Sequence, residues 1–492
     1  MRVPRSPALW APLALLLGGF MSAAALIGAP LLGRSAPVDG VIVIVIVAAL
    51  WLAAAFAVPT RALPTMAILV YALIPYRVLP GAVLLLIWSV RRAAAARRVG
   101  PWPSRGGVAV LAIVSALLLV AVLSLVVSPY RGASAAWTVN CLLALGAVVV
   151  VGDCRSEAAS LRRVWPAVGA VVGAYAVLEY VLRRNPVYGA VDQLIGGAAV
   201  QNWSGYRSTA SLDHPVYLGM FLACSCALAV GAFARGSRWS LVAVVLTGGG
   251  LVTTLSRGAF LALGVAGVVG AILAAFAGRA VLRRFAAVLV VAAAITAVAL
   301  PVLLERFGSS EAQGSVTQRT RTYDIVFSAW TQHPVLGTGG GTAADAVGDA
   351  ILSLRYIENW YLQILLGLGA VGLLVVAALV AALLTTAVRR RDLPAAMLTA
   401  AFCVAIATYN ADDRAATLFL LALVVVVVVG GGGAAVAPGR LATGRETPAT
   451  PMRVPDANRS GGGDELLVLP RMLLWRRFVL LPRRRPLEPH LS

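Results

Sequence analysis

Residues 303–341 read LLERFGSSEAQGSVTQRTRTYDIVFSAWTQHPVLGTGGG, and residues 355–374 read RYIENWYLQILLGLGAVGLL. The first stretch is polar and carries arginine; the second runs back into continuous apolar sequence. On either side the chain is built of apolar runs of about 18 or more residues, each enough to cross ~30 Å of hydrocarbon. A bilayer core offers the backbone no water, so uninterrupted apolar runs of that length mean helices rather than barrel strands. A polar segment this long between such runs is the natural place for chemistry, and 304–358 is read as a long loop outside the membrane.

The composition agrees. The chain has 492 residues, is 60% hydrophobic and only 12% charged, and has a mean hydropathy of +0.88. That excludes a large soluble enzyme and predicts an all-α integral membrane protein with about 12–14 transmembrane helices. The formal charge of +21 comes from arginine, with no lysine in the chain. In a soluble protein such an excess would suggest nucleic acid. Here most arginines stand in short clusters beside apolar runs, which marks cytoplasmic loops and implies no nucleic-acid partner.

Candidate spans are 8–32, 38–58, 106–127, 134–152, 164–182, 214–234, 239–256, 259–277, 285–303, 359–387, 394–411 and 415–430. The first follows Arg2 and Arg5 and is long for a signal-peptide core, so a membrane anchor is expected. Segment 63–90, with Pro75 and Pro80 around Tyr76 and Arg77, reads as one kinked span or two half-spans. Half-spans place the N-terminus in the cytoplasm; one span places it outside. After Val429 a Gly/Pro/Arg-rich tail, 431–492, is expected to be disordered and cytoplasmic. Within it LLWRRFVLLPRRR (473–485) suits a segment lying on an anionic leaflet, or simply an unstructured basic tail. The five cysteines, Cys141, Cys154, Cys224, Cys226 and Cys403, show no metal-ligand spacing and read as small apolar filler.

Orientation follows from arginine bias. Arg91, Arg92, Arg97, Arg98 and Arg105 form the strongest cluster. Counting spans onward puts Arg155/Arg162/Arg163, Arg235/Arg238, Arg279/Arg283/Arg284 and Arg389/Arg390/Arg391 on the same, cytoplasmic side. Loop 183–213, the turn Ser256-Arg257-Gly258 and loop 304–358 then fall on the extracytoplasmic face. Arginine is unexpected there, so Arg183, Arg184, Arg207, Arg257, Arg306, Arg319 and Arg321 are candidates for function rather than topology.

Each has a bland reading beside the functional one. Arg207 near a membrane boundary suits a bidentate phosphate contact, or an ion pair with Asp213 that ties down its loop. His214 before Pro215 reads as the residue that starts a helix. Arg257, held between two apolar runs in a tight turn that Gly258 permits, needs a partner or a wet cavity, or else snorkels to the headgroups. The glycines after His333, from Gly337 and Gly339 onward, allow close backbone approach and N–H donation to phosphate. Glu358 at a helix start is a capping charge, or a general base if partly desolvated in a cleft.

Four pieces in order, RSTASLDHPVYLG (207–219), LSRGAFLAL (255–263), Arg319 with Tyr323 followed by His333-Pro334-Val335-Leu336-Gly337-Thr338-Gly339, and ENWYLQILLGLGAVGLL (358–374), resemble the O-antigen ligase/polymerase superfamily of bacterial membrane glycosyltransferases. The resemblance covers roughly residues 200–375. It implies a catalytic region at 200–375 between an N-terminal bundle (1–199) and C-terminal spans (376–430), in a glycosyltransferase-C-like membrane enzyme. The implied donor is a polyprenyl-pyrophosphate-linked glycan and the acceptor another glycan or lipid, handled without metal or other cofactor. Arg207, Arg257 and Arg319 would then grip the pyrophosphate, with Arg321, Asp213, His333, Gly337, Gly339 and Asn359 lining the site. Ligases of this family carry His-Asn or His-Ser where this chain has Glu358-Asn359, and that His is their presumed base. Glu358 is its chemical substitute here, which favours a polymerase-like or diverged member. The alternatives are a flippase for lipid-linked glycans and a non-catalytic component of a polysaccharide export complex.

Overall fold

The computed structural model describes residues 58–73, 80–95, 105–189, 205–308, 310–348, 357–409 and 415–431. The expected span 8–32, nearly all of 38–58, Arg97, Arg98 and all but the first residue of the 431–492 tail lie outside the described residues. So do 190–204 and 349–356.

Helices, with no strands among the described residues, make up the fold: α1 (Leu63–Leu73), α2 (Pro80–Ala95), α3 (Arg105–Val127), α4 (Arg131–Val151), α5 (Arg155–Leu182), α6 (Pro215–Ala234), α7 (Ser240–Thr253), α8 (Arg257–Ala277), α9 (Arg279–Gly308), α10 (Ser310–Trp330), α11 (Ala343–Gly348), α12 (Trp360–Arg389), α13 (Leu393–Ile406) and α14 (Ala415–Gly430). Seven of these are long and apolar enough to cross a membrane, and four apolar helices are shorter. The chain is a multi-pass, all-α membrane protein. Segment 63–90 resolves into two helices rather than one. Arg91 near the end of α2 donates to the carbonyl of Val58 just ahead of α1, at 2.5 Å, so the pair doubles back on itself.

Burial follows chemistry along each helix. α6 is apolar on every side and sits in the middle of the bundle. α14 carries the run Val424–Val429, which in water would favour a strand. Surrounded by other helices it is helical and buried throughout, because a helix satisfies its own backbone. At 16 residues it spans about 24 Å, short for a lipid-facing crossing but adequate inside a bundle. α9 is the opposite case, exposing Leu289, Val290 and Val298 on what reads as its lipid face. α5 and α7 approach until backbones touch: a Cβ at Gly250 would overlap Gly173. Small residues at such a crossing let helices pack where lipid removes the hydrophobic drive.

The arginine clusters gather at one end of the bundle and are tied in. Arg162 pairs with Asp392 at 2.5 Å and donates to Val427 O. Arg390 donates to the carbonyls of Val428 and Val429 at the end of α14. Arg92 pairs with the buried Glu157. Cations on C-terminal helix carbonyls complement the macrodipole.

The segment 304–358 departs from the sequence expectation. It is not an extended loop: α9 runs on to Gly308, and α10 and the short α11 follow. The helical period of α10 is masked by its polar composition. Val326 is nonetheless fully buried with Ala343, Val347, Ile357 and Leu366, with Ile325, Ala329 and Trp330 packed beside them.

Candidate functional site

The Arg207 loop and the Arg257 turn meet at the end of the bundle opposite the arginine clusters. Ser208 N–H donates to Thr253 O (3.1 Å), and Arg207 Nε donates to Thr254 O (2.9 Å). Arg207 is buried, and Arg257 opens α8 three residues beyond Thr254. The tight turn differs from expectation in one respect. The left-handed residue is Leu255 (φ 50°), not Gly258. Gly258 is needed for closeness instead, since a Cβ there would overlap the Thr408 side chain.

The loop leans on further supports. Tyr188 OH donates to Leu73 O, and Ser211 Oγ donates to Ala72 O, which satisfies C-terminal carbonyls of α1. Burial pushes the Tyr188 hydroxyl above its usual range, so it stays a donor. Asp213 takes φ 67°, and His214 caps α6 by accepting from Val216 N–H through Nδ1, as its position before Pro215 suggested.

The second group is Arg319 with Glu358. Arg319 Nε and Nη2 both donate to Glu358 Oε2, at 3.1 and 2.5 Å. Glu358 is exposed rather than desolvated in a cleft. Nor is it the helix cap: Asn359 is, its Oδ1 accepting from Tyr361 and Leu362 N–H. Asn359, expected to line the site, thus starts α12 at the same end of the bundle as Glu358. Arg321 is exposed two positions along α10 from Arg319, a spacing that does not share a helix face. His333 is exposed.

In the glycine-rich piece, expected to offer N–H groups to a ligand, those of Gly337, Thr338 and Gly339 are bonded to backbone carbonyls. α12 is broken at Gly369 (φ 67°, ψ −167°), which frees backbone groups inside a membrane span. Segment 334–339 pairs with them. Thr338 and Gly339 N–H donate to Leu366 and Gly367 O, and Ala370 and Val371 N–H donate to Pro334 and Val335 O. Ser124 Oγ of α3 lies 3.0 Å from Leu336 O and 2.9 Å from Gly367 O, and Ser128 Oγ donates to Thr338 O (2.6 Å). Gly337 N–H is taken by His333 O, and a Cβ at Gly337 or Gly339 would overlap its neighbours. Gly337 and Gly339 are therefore there to dock a re-entrant segment.

The two groups share one end of the bundle and are bridged by α13. Its C-terminal neighbour Thr408 lies against Gly258, while Tyr361, beside the Asn359 cap, donates to Cys403 O at 2.9 Å. Tyr217 of α6 also packs edge-on to Tyr409, with centroids 4.5 Å apart.

Residues 242–377 match the O-antigen ligase family model. This match supports membership of the O-antigen ligase superfamily. The matched segment takes in nearly all of α7, the whole of α8–α11 and the broken part of α12, and so contains Arg257, Arg319, His333, Gly337, Gly339, Glu358 and Asn359. Arg207 and Asp213 lie ahead of it, joined to it through Thr253 and Thr254. No curated protein matches the chain.

One feature escaped the sequence. Glu179, in the last turn of α5, accepts from the 206–210 backbone and side chains. A lone acid near the end of an apolar run was the only signal, and it names no partner.

Proposed function

We propose that this chain is a membrane glycosyltransferase that transfers or polymerises a polyprenyl-pyrophosphate-linked glycan on the extracytoplasmic face of the plasma membrane. The observation that carries the reading is the Arg319–Glu358 pair inside the family-matched segment, at the same end of the bundle as Arg207 and Arg257.

In this reading an acceptor hydroxyl gives its proton to Glu358 as its oxygen attacks the anomeric carbon of the donor. The bond from that carbon to the pyrophosphate oxygen breaks, and the polyprenyl pyrophosphate leaves with the electron pair. Both bonds from Arg319 end on Oε2, so Oε1 is the atom assigned to the acceptor hydroxyl. Arg319 then orients an ionised base, and the developing pyrophosphate charge falls chiefly to Arg257 and Arg207. A pre-positioned charged donor of this kind contributes about 2–4 kcal/mol to the transition state. The arginines supply the positive charge, so the reading calls on no metal. Gly337, Gly339 and Asn359 support the site from its backbone, and His333, Arg321 and Asp213 are assigned to its rim.

A flippase would use a broken helix as an ion or substrate site. The freed backbone groups of α12 are instead paired with segment 334–339, which favours the enzyme.

Deletion of the gene followed by analysis of surface glycan tests the reading. Accumulated single lipid-linked repeats mean polymerase, and long polymer left on the carrier means ligase. If Arg257→Ala and Arg319→Ala leave polymer length and yield unchanged, the enzyme reading fails.

A further inference from the structure

We propose that Glu179 is a positioning residue whose buried carboxylate shapes the 206–210 loop so that Arg207 is fixed beside Arg257. Its catalytic half rests on the donor-gripping role given to Arg207 above.

Glu179 is fully buried in the last turn of α5. That is a poor place for an acid, because burial penalises the charge and the C-terminal end of a helix carries partial negative charge of its own. Such a group persists where donors converge on it, and here they do. Oε1 accepts from Thr209 N–H (3.0 Å), Thr209 Oγ1 (3.2 Å) and Tyr206 OH (3.1 Å), and Oε2 accepts from Ala210 N–H (2.7 Å). Every one of these donors is neutral and comes from the same short loop. Successive N–H groups at Thr209 and at the left-handed Ala210 (φ 47°) form a concavity for an anion, and the chain fills it with its own carboxylate.

Arg207 sits between these anchors and α7. Ser208 donates its N–H to Thr253 O and its hydroxyl to Ala176 O (2.7 Å), one helical turn before Glu179. The loop is thus clamped on α5 by Glu179 and Ala176 and on α7 by Thr253, and from this fixed backbone Arg207 Nε donates to the Thr254 carbonyl. A glutamine at 179 would keep the length but turn an NH2 donor toward a backbone donor. An aspartate would keep the charge and withdraw it by one methylene.

The test uses the full chain in lipid nanodiscs. Amide exchange over 206–213 is expected to rise about tenfold or more in Glu179→Gln, with α6 unchanged, since local opening sets exchange. Unchanged exchange overturns the proposal whether or not the protein is an enzyme. Glycan transfer gives the second readout. Glu179→Gln is expected to lower kcat about tenfold with little change in acceptor KM, and to add nothing in an Arg207→Ala background, as coupled residues do. Additive losses overturn it. If Arg207→Ala alone leaves transfer intact, the catalytic half fails together with the donor-grip reading, while the exchange result stands separately. Should Glu179→Gln not accumulate, Tyr206→Phe removes one donor from the other side. It is expected to shift exchange and kcat in the same direction by a smaller factor, and no shift in either counts against the proposal.

Discussion

Arg319 and Glu358 stand 39 positions apart and meet through two hydrogen bonds that converge on a single carboxylate oxygen, Oε2. The pair joins α10 to the residue just ahead of α12, so a polar helix is pinned to the start of one long and apolar enough to cross a membrane.

Glu358→Gln keeps the shape and removes the proton acceptor. Transfer is expected to fall about 10²-fold or more, in line with loss of a general base. Thermal stability in detergent should change by less than about 1 kcal/mol, because the pair is largely exposed and surface ion pairs contribute little. Retention of most activity would remove Glu358 as the base.

Gly369→Ala should be among the most damaging single methyl additions in the chain. The residue has φ 67°, and its new Cβ would overlap the Val335 carbonyl. Backbone strain alone costs about 1–3 kcal/mol, and the overlap adds to it. Gly264→Ala, with nothing within 4 Å of the added carbon, is the control and should leave the melting temperature level or slightly raised.

Ser124→Ala and Ser128→Ala each remove a hydroxyl that holds segment 334–339. Each is expected to lower stability by about 0.5–1.5 kcal/mol. Because both serve one docked segment, the double variant should lose less than the sum, measured by melting in detergent.

Topology is tested by labelling. An impermeant maleimide should modify Ser328→Cys on intact cells and Ser237→Cys only after the membrane is opened, since both positions are exposed at opposite ends of the bundle. The reverse pattern would invert the face assigned to the site. The native background should stay quiet: four of the five cysteines are buried, and burial pushes the Cys154 thiol well above its usual range, which keeps the reactive thiolate scarce.

Among the described residues the spans were readable because a membrane helix is coded locally, by a run of apolar residues. The two ends of the bundle were readable from arginine placement, and contacts such as Arg162–Asp392 bear that grouping out. Tertiary choices were not readable. The helix at Ser310–Trp330 depends on partners, Ile357 and Leu366, that come later in the chain. The break at Gly369 is hidden because LLGLGAVGLL is good helix-forming membrane sequence until Pro334–Gly339 pairs with it. Glu179 had no visible purpose until the 206–210 turn closed around it. The capping reading given to Glu358 belongs to its neighbour Asn359, one position on, because only the Asn359 side chain reaches the first N–H groups of α12.

The mended break in α12 has a consequence for biogenesis. As the ribosome releases Trp360–Arg389, the carbonyls of Leu366 and Gly367 and the N–H groups of Ala370 and Val371 need partners before they can rest in lipid. Those partners, Pro334 to Gly339, and the steadying Ser124 and Ser128, on and just past α3, precede them in the chain. The middle of α12 is therefore expected to settle only once segment 334–339 is docked on it, so the order of synthesis matches the order in which the partners are needed.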